Sequence, residues 1–210
     1  MCDSYQNEEE ITNCVIMAGG RGERLRPLTD TIPKCALEVG GKPVIKHIID
    51  DLEAVGFDDI IVSLKYLPGG IKTAIGEDET IRYYIQKTTG TAQCLKEMDR
   101  YGYLESEFMV VNGDTLTNLN YAQIIEWHLI NNNIATIFTK DDAIHSGGTY
   151  IFDREVLKYI DKEVNIPDLI QKLMGLDISM SLYMGENPQD VWYLDIGDPA
   201  KLKEARELFK

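Results

Sequence analysis

No run of about 18 to 20 consecutive apolar residues, the length a membrane-spanning helix needs, occurs in this chain of 210 residues, so no membrane partner is expected. The opening MCDSYQNEEEITNC is acidic and polar where a secretory signal is basic and then apolar, which predicts a cytoplasmic protein. Cysteine is scarce. Cys2, Cys14, Cys35 and Cys94 lie far apart without the two-residue spacing of zinc sites, and read as free thiols in a reducing compartment. Positive charge is scarce as well: 21 Lys and Arg stand against 35 Asp and Glu, a formal charge of −14. Binding to a nucleic-acid backbone depends on clustered Lys and Arg that release counterions, so nucleic acid is excluded as a partner. An anionic ligand has to be met by a local patch.

What is present is a pattern of short β-branched runs alternating with helical periodicity, with no internal repeat. It predicts an α/β fold: a single-domain, doubly wound, mostly parallel mixed sheet of Rossmann-like type over residues 13–210, after a flexible acidic segment at 1–12. Strands are expected at 14–17, 59–64, 81–86, 107–111, 135–139, 149–152 and 180–183. Several are continuous apolar runs, as when both sheet faces are covered. The clearest helix spans 44–55, with Val44, Ile45, Ile48, Ile49, Leu52 and Val55 on one buried face and Gly56 as its stop. A last helix starts at Asp198-Pro199, a cap followed by proline at the first helical position, and closes the domain over the sheet.

The chemistry concentrates after the first strand, in Ala18-Gly19-Gly20-Arg21-Gly22-Glu23-Arg24-Leu25-Arg26-Pro27-Leu28-Thr29, followed by Ile32-Pro33-Lys34. Three glycines in four positions let the backbone turn tightly and aim successive N–H groups at phosphate oxygens. Residues 21–42 carry Arg21, Arg24, Arg26, Lys34 and Lys42 against Glu23, Asp30 and Glu38, a positive stretch in an acidic chain. The alternative for the glycines alone is a strand-to-helix turn with solvated charges. No Gly-Lys-Ser/Thr closes the segment, so it is not a Walker loop, and it lacks the glycine spacing of a dinucleotide fingerprint.

The run GGRGERLRPLT followed by Pro33-Lys34 resembles the signature of the sugar-phosphate nucleotidyltransferases, the family that makes NDP-sugars. Gly90-Thr91-Ala92 resembles that family's second nucleotide loop, and Val111-Asn112-Gly113-Asp114 the strand end carrying a metal-binding aspartate. Trp192-Tyr193-Leu194-Asp195-Ile196-Gly197 with Asp198-Pro199 resembles its second metal aspartate and closing helix. The resemblance spans residues 14–209. It implies an enzyme that transfers NMP from a nucleoside triphosphate to a sugar 1-phosphate and releases pyrophosphate. Ala18, Gly19, Gly20, Gly22 and Glu23 would then shape the loop around base and phosphates, with Arg24 gripping the triphosphate and Lys34 at the reacting phosphates. Gln86 would meet the base edge, Gly90, Thr91, Asn112 and Gly148 would complete the nucleotide site, and Asp114 and Asp195 would hold Mg²⁺. Arg24, Lys34 and Asp114 form the implied catalytic set, and Ser146, Gly147, Gly148 and Tyr150 begin the sugar-facing strand.

The chain departs from that pattern in three places. The family's hairpin ending in a Glu-Lys pair is absent, because only residues 140–147 separate the strand at 135–139 from Gly148-Thr149-Tyr150. Lys140, His145 or Lys87 would have to replace its cation. Gln86 to Gly90 is one residue shorter than usual, and Cys35-Ala36 replaces the residues that follow Pro-Lys. Two alternatives therefore stand beside the sugar reading: a small alcohol or polyol phosphate as acceptor, or a non-catalytic nucleotide-binding subunit. His47, His128 and His145 read as structural and Trp127 as packing; Trp192 packs or walls the acceptor pocket. A homo-oligomer is compatible with the sequence but is not specified by it.

Overall fold

The computed structural model describes residues 11–140, 146–161, 164–176 and 178–210. Residues 1–10 of the expected acidic N-terminus and His145 lie outside the described residues, while Ile11 is already buried. In chain order the elements are β1 (Asn13–Met17), β2 (Glu38–Val39), β3 (Lys42–Pro43), α1 (Val44–Glu53), β4 (Asp59–Leu64), α2 (Pro68–Ile75), β5 (Ile81–Ile85), α3 (Thr91–Arg100) and β6 (Glu107–Asn112). There follow β7 (Thr115–Thr117), α4 (Tyr121–Asn131), β8 (Ala135–Thr139), β9 (Ser146–Asp153), α5 (Ile166–Met174), β10 (Met180–Tyr183), β11 (Tyr193–Asp195) and α6 (Pro199–Leu208).

Seven strands form one sheet in the order β10-β8-β9-β6-β1-β4-β5. Only β9 runs against its neighbours β6 and β8; the other pairings are parallel. Alternation along each strand sends side chains to opposite faces. Cys14 and Ile16 of β1 join the core beneath α1, α2, α4 and α6, whereas Val15 and Met17 join the one beneath α3 and α5. Both faces are thus covered, which is why these strands read as continuous apolar runs. Phe108, Phe138 and Phe152 are fully buried, each contributing about 1.5 to 3 kcal/mol over an exposed ring.

From β1 the chain steps outward to β4 and β5, then crosses to β6 on the other side of β1. Loops leaving β1 and β6 therefore diverge at their carboxyl ends, the topological switch point where open α/β sheets bind ligands.

The sequence-expected elements are present with shifted ends. α1 stops at Glu53, and Val55 is 36% exposed rather than core, because the chain leaves helical geometry for a turn at Gly56, whose φ is +100°. β5 ends before Gln86, and β9 begins at Ser146, ahead of the expected 149. The short strands β2, β3, β7 and β11 were not expected, since two or three residues carry too little periodicity to register.

Candidate active site

The loop after β1 is built by short-range bonds around its glycines. Ala18 N–H donates to Ser63 O (3.0 Å), tying the loop's start to β4. Gly22 adopts φ +62°, where a side chain is strained, and its carbonyl accepts from Leu25 N–H (2.9 Å) and from Thr29 Oγ1 (2.7 Å). Leu25 is buried while Arg24, beside it on the same short 3₁₀ turn, stays exposed, so the turn anchors itself by one residue and presents the next. A later 3₁₀ turn at Lys34–Ala36 buries Cys35 and carries Lys34 inward.

Asp114 follows β6, and Gly113 lets it approach: Gly113 N–H donates to Met17 O (3.0 Å), and a β-carbon there would sit 3.1 Å from Ile16 Cγ2 and 3.2 Å from Cys35 Sγ. Asp195 is brought to it by β11, which pairs antiparallel with β7 so that Asp195 stands opposite Thr115. Ile196 N–H then donates to Asp114 O (3.0 Å). Asp114 and Asp195, distant in sequence, are thereby locked together by a two-stranded ribbon.

Lys34 Nζ is ion-paired with Asp114 and lies 3.9 Å from Asp195. Arg24 reaches the same cluster, 3.8 Å from Asp195 and 3.9 Å from Asp198. Asp198 caps α6, accepting from the N–H groups of Ala200 and Lys201 (both 3.0 Å), and these bonds hold its carboxyl below the usual range. Burial pushes the Lys34 pKa down, but the charge and hydrogen bond of Asp114 push it up further, so Lys34 is a firm cation. Burial first, and the Asp114 charge second, push the Cys35 thiol up and keep it neutral.

The donor set suits a hard divalent cation. Asp195 Oδ1 is buried without a hydrogen-bond partner, an atom that gains from a ligand. Among the described residues no group of three or more His, Cys, Asp and Glu is placed to hold a metal. Two carboxylates with waters and substrate phosphates nevertheless suffice for Mg²⁺.

On the other side of the loop, Gln86 lies just beyond β5. Its Nε2 donates to the buried Ser63 Oγ (2.6 Å), and its Oε1 would be 3.0 Å from a β-carbon on Gly19. Gly20 faces open space, and Glu23 opens the exposed turn. Gly90 and Thr91 start α3, but the amides there are engaged within the chain: Thr91 N–H reaches Asn165 Oδ1 (3.3 Å), and Ala92 and Gln93 N–H reach Val164 O (3.1 and 3.3 Å). Asn112 packs against Gly148, whose φ is +76° and whose added β-carbon would lie 2.8 Å from Asn112 Nδ2.

Other candidates disperse. Arg26 pairs with Asp30, Lys42 with Asp50, and Arg21 lies over the Tyr66 ring. Lys87 sits over the Tyr101 ring, 5.3 Å from its centroid. The Trp192 ring packs on Phe209, and Gly147 lies against the Phe138 ring, with Tyr193, the neighbour of Trp192, 3.1 Å from where a β-carbon would be. His47 hydrogen-bonds Val39 O, and the buried His128 sits between Thr136 and Glu107, both structural roles. The Trp127 ring packs at a tilt against Tyr183, with centroids 5.7 Å apart and planes at 50°. Sequence reasoning missed Ser63 and the approach of Asp198 to Arg24; only the tertiary structure places them here.

A glycine loop and a cation pair facing two carboxylates at the switch point of a doubly wound sheet define a nucleotide-handling α/β protein. The chain belongs to the nucleotidyl transferase family, whose model matches residues 13–147. It is 31% identical to a mannose-1-phosphate guanyltransferase of Candida albicans over 178 residues, covering 81% of this chain and 48% of that protein. It is 27% identical to a UTP–glucose-1-phosphate uridylyltransferase of Synechocystis over 203 residues, covering 87% and 51%. The chain thus spans about half the length of the curated relatives it matches. Its fold is that of HddC from Yersinia pseudotuberculosis complexed with GMP-PN, with a TM-score of 0.76 at 24% identity, covering 95% of this chain and all of that one. No helix among the described residues is long and apolar enough to cross a membrane.

Proposed function

We propose that the protein transfers NMP from a nucleoside triphosphate to a sugar 1-phosphate, giving an NDP-sugar and pyrophosphate in a Mg²⁺-dependent reaction. The observation that carries this reading is the convergence of Lys34, Arg24, Asp114 and Asp195 where the β1 and β6 loops part. The likeness to two sugar-1-phosphate nucleotidyltransferases supports it.

A phosphomonoester, with a second pKa near 6, is mostly dianionic at neutral pH and needs no general base. One of its oxygens bonds to the α-phosphorus while the α–β bridging bond breaks and pyrophosphate leaves with the electron pair. The difficulty is repulsion between anions. Asp114 and Asp195 would hold the divalent cation, which when bound would neutralise charge on the α-phosphate and the acceptor. Lys34, charged throughout the neutral range, would swing from Asp114 to the reacting phosphates. Arg24, exposed and loosely held at 3.8 and 3.9 Å, is free to take the triphosphate.

A second acceptor class is favoured by one observation: β8 ends at Thr139 and β9 begins at Ser146, and the six residues between them contain no Glu-Lys pair. A small alcohol or polyol phosphate would then serve. The test is pyrophosphate release with each common nucleoside triphosphate against sugar 1-phosphates and other phosphomonoesters, with Asp114→Ala as control. Release requiring one triphosphate, one acceptor and Asp114 is expected. Nucleotide binding with no release across the pool would instead support a nucleotide-binding subunit.

A further inference from the structure

The loop from β1 to Lys34 carries both cations of the site, yet it holds no regular element longer than a three-residue 3₁₀ turn. Thr29, fully buried, is its internal anchor. Thr29 Oγ1 donates to Gly22 O (2.7 Å), the carbonyl that opens the Arg24 turn. Thr29 Cγ2 and Lys34 Cβ both crowd Gly22, 2.9 and 3.1 Å from where a β-carbon would be, so the three residues are packed as one unit. Thr29 is in turn held from outside the loop. Tyr66, just beyond β4, donates its hydroxyl to Thr29 O (3.0 Å), with Asp30 O at 3.4 Å, and its ring lies beneath the Arg21 guanidinium. The carbonyl of a buried residue needs such a donor. The chain then reverses at Leu67, whose φ of +46° is one of two positive values at non-glycine positions among the described residues. Backbone in that region persists only where its surroundings enforce it, and it gathers at functional sites. Beyond the reversal, Gly70 of α2 lies against Pro33, the residue before Lys34, with Pro33 Cδ 2.7 Å from where a β-carbon would be. The β4–α2 connection thus grips the loop at Thr29 and at Pro33.

We propose that Tyr66 is a positioning residue for nucleotidyl transfer: through Thr29 it sets where Lys34 stands, and the strained reversal at Leu67 delivers it to the loop. This rests on the reading that Lys34 meets the reacting phosphates. A lysine ammonium is a point charge on a flexible stem, so its placement depends on how firmly its backbone is held. Such a charge helps the reaction only where negative charge develops, and a displacement of about 1 Å can cost about a hundredfold in rate. Arg24, exposed on its turn, can follow the triphosphate as it binds. Loosening the loop therefore acts on turnover more than on nucleotide binding.

The experiment is steady-state pyrophosphate release with Mg²⁺ and the triphosphate and acceptor that the wild type uses, for Tyr66→Phe, Lys34→Met and the double variant, well below their melting midpoints. Tyr66→Phe keeps the ring beneath Arg21 and loses only the hydroxyl. Its kcat should fall about ten- to a hundredfold while KM for the triphosphate changes less than about threefold. In the Lys34→Met background the same substitution should cost nothing further, because the group it places is gone. Thr29→Val, similar in shape, cuts the next link and should reproduce both the loss and its absence without Lys34. A merely structural hydroxyl would lower the melting midpoint and leave kcat standing, which would overturn the assignment. So would a change confined to KM, an equal loss with and without Lys34, or a wild-type kcat in Thr29→Val. Each of those outcomes leaves nucleotidyl transfer intact, since the wild type still turns over. If the wild type released no pyrophosphate with any triphosphate and acceptor, the transfer reading would fall and the role of Tyr66 with it.

Discussion

The ammonium of Lys34 is ion-paired with the Asp114 carboxylate and stands 3.9 Å from Asp195, so one cation neutralises two carboxylates that β7 and β11 force together. It is held where the charge of a divalent cation would also be welcome.

Replacing Lys34 with Met removes that cation and leaves the carboxylates facing each other. Pyrophosphate release should fall about 10²- to 10³-fold, the usual loss for one preorganised electrostatic contact. Millimolar Mg²⁺ should raise the melting midpoint of Lys34→Met more than that of wild type, because the metal then has no competitor. Equal shifts would show that Lys34 does not share the metal's place.

Asp195→Asn keeps the shape of the side chain and removes its charge. Asp195 Oδ1 has no hydrogen-bond partner, so the fold loses little, but nucleotide binding should lose its dependence on Mg²⁺. Calorimetric titration with and without Mg²⁺ reads this; an unchanged Mg²⁺ effect would remove Asp195 from the metal site.

Gly148→Ala places a β-carbon 2.8 Å from Asn112 Nδ2 at a φ of +76°. The strain should cost about 1 to 3 kcal/mol. Urea unfolding measures it, and a neutral result would mean that β9 can shift away from Asn112 without penalty.

Asp198 gives a pH-dependent contribution of known sign. Its backbone hydrogen bonds lower its folded pKa, so its share of stability is full above the unfolded value near 3.9 and is lost as pH falls through the lower, folded value. Asp198→Asn still caps α6 but no longer titrates. It should match wild type in shape of cap at neutral pH and show a shallower loss of melting midpoint below pH 4.

Much of this fold was legible in the sequence because its signals are local. Short, largely apolar and β-branched runs gave β1, β4, β6 and β8, and the spacing of Val44, Ile45, Ile48, Ile49 and Leu52 gave α1. The Asp-Pro pair marked the start of α6. The glycine loop was legible for the same reason: tight turns need residues that tolerate positive φ, as Gly22 does.

Partnership was left to the tertiary structure. Nothing in the spacing of Lys34, Asp114 and Asp195 states that one ammonium lies between two carboxylates. That follows from β6 standing beside β1 and from the β7–β11 register, both long-range choices fixed by burying two sheet faces at once. The same holds for Ser63, an unremarked serine in an apolar strand. It finds a partner because parallel pairing of β4 with β5 sets the strand ends where Gln86 can donate to it. Sequence periodicity records which way a side chain faces, but the group it meets there depends on which strand lies alongside.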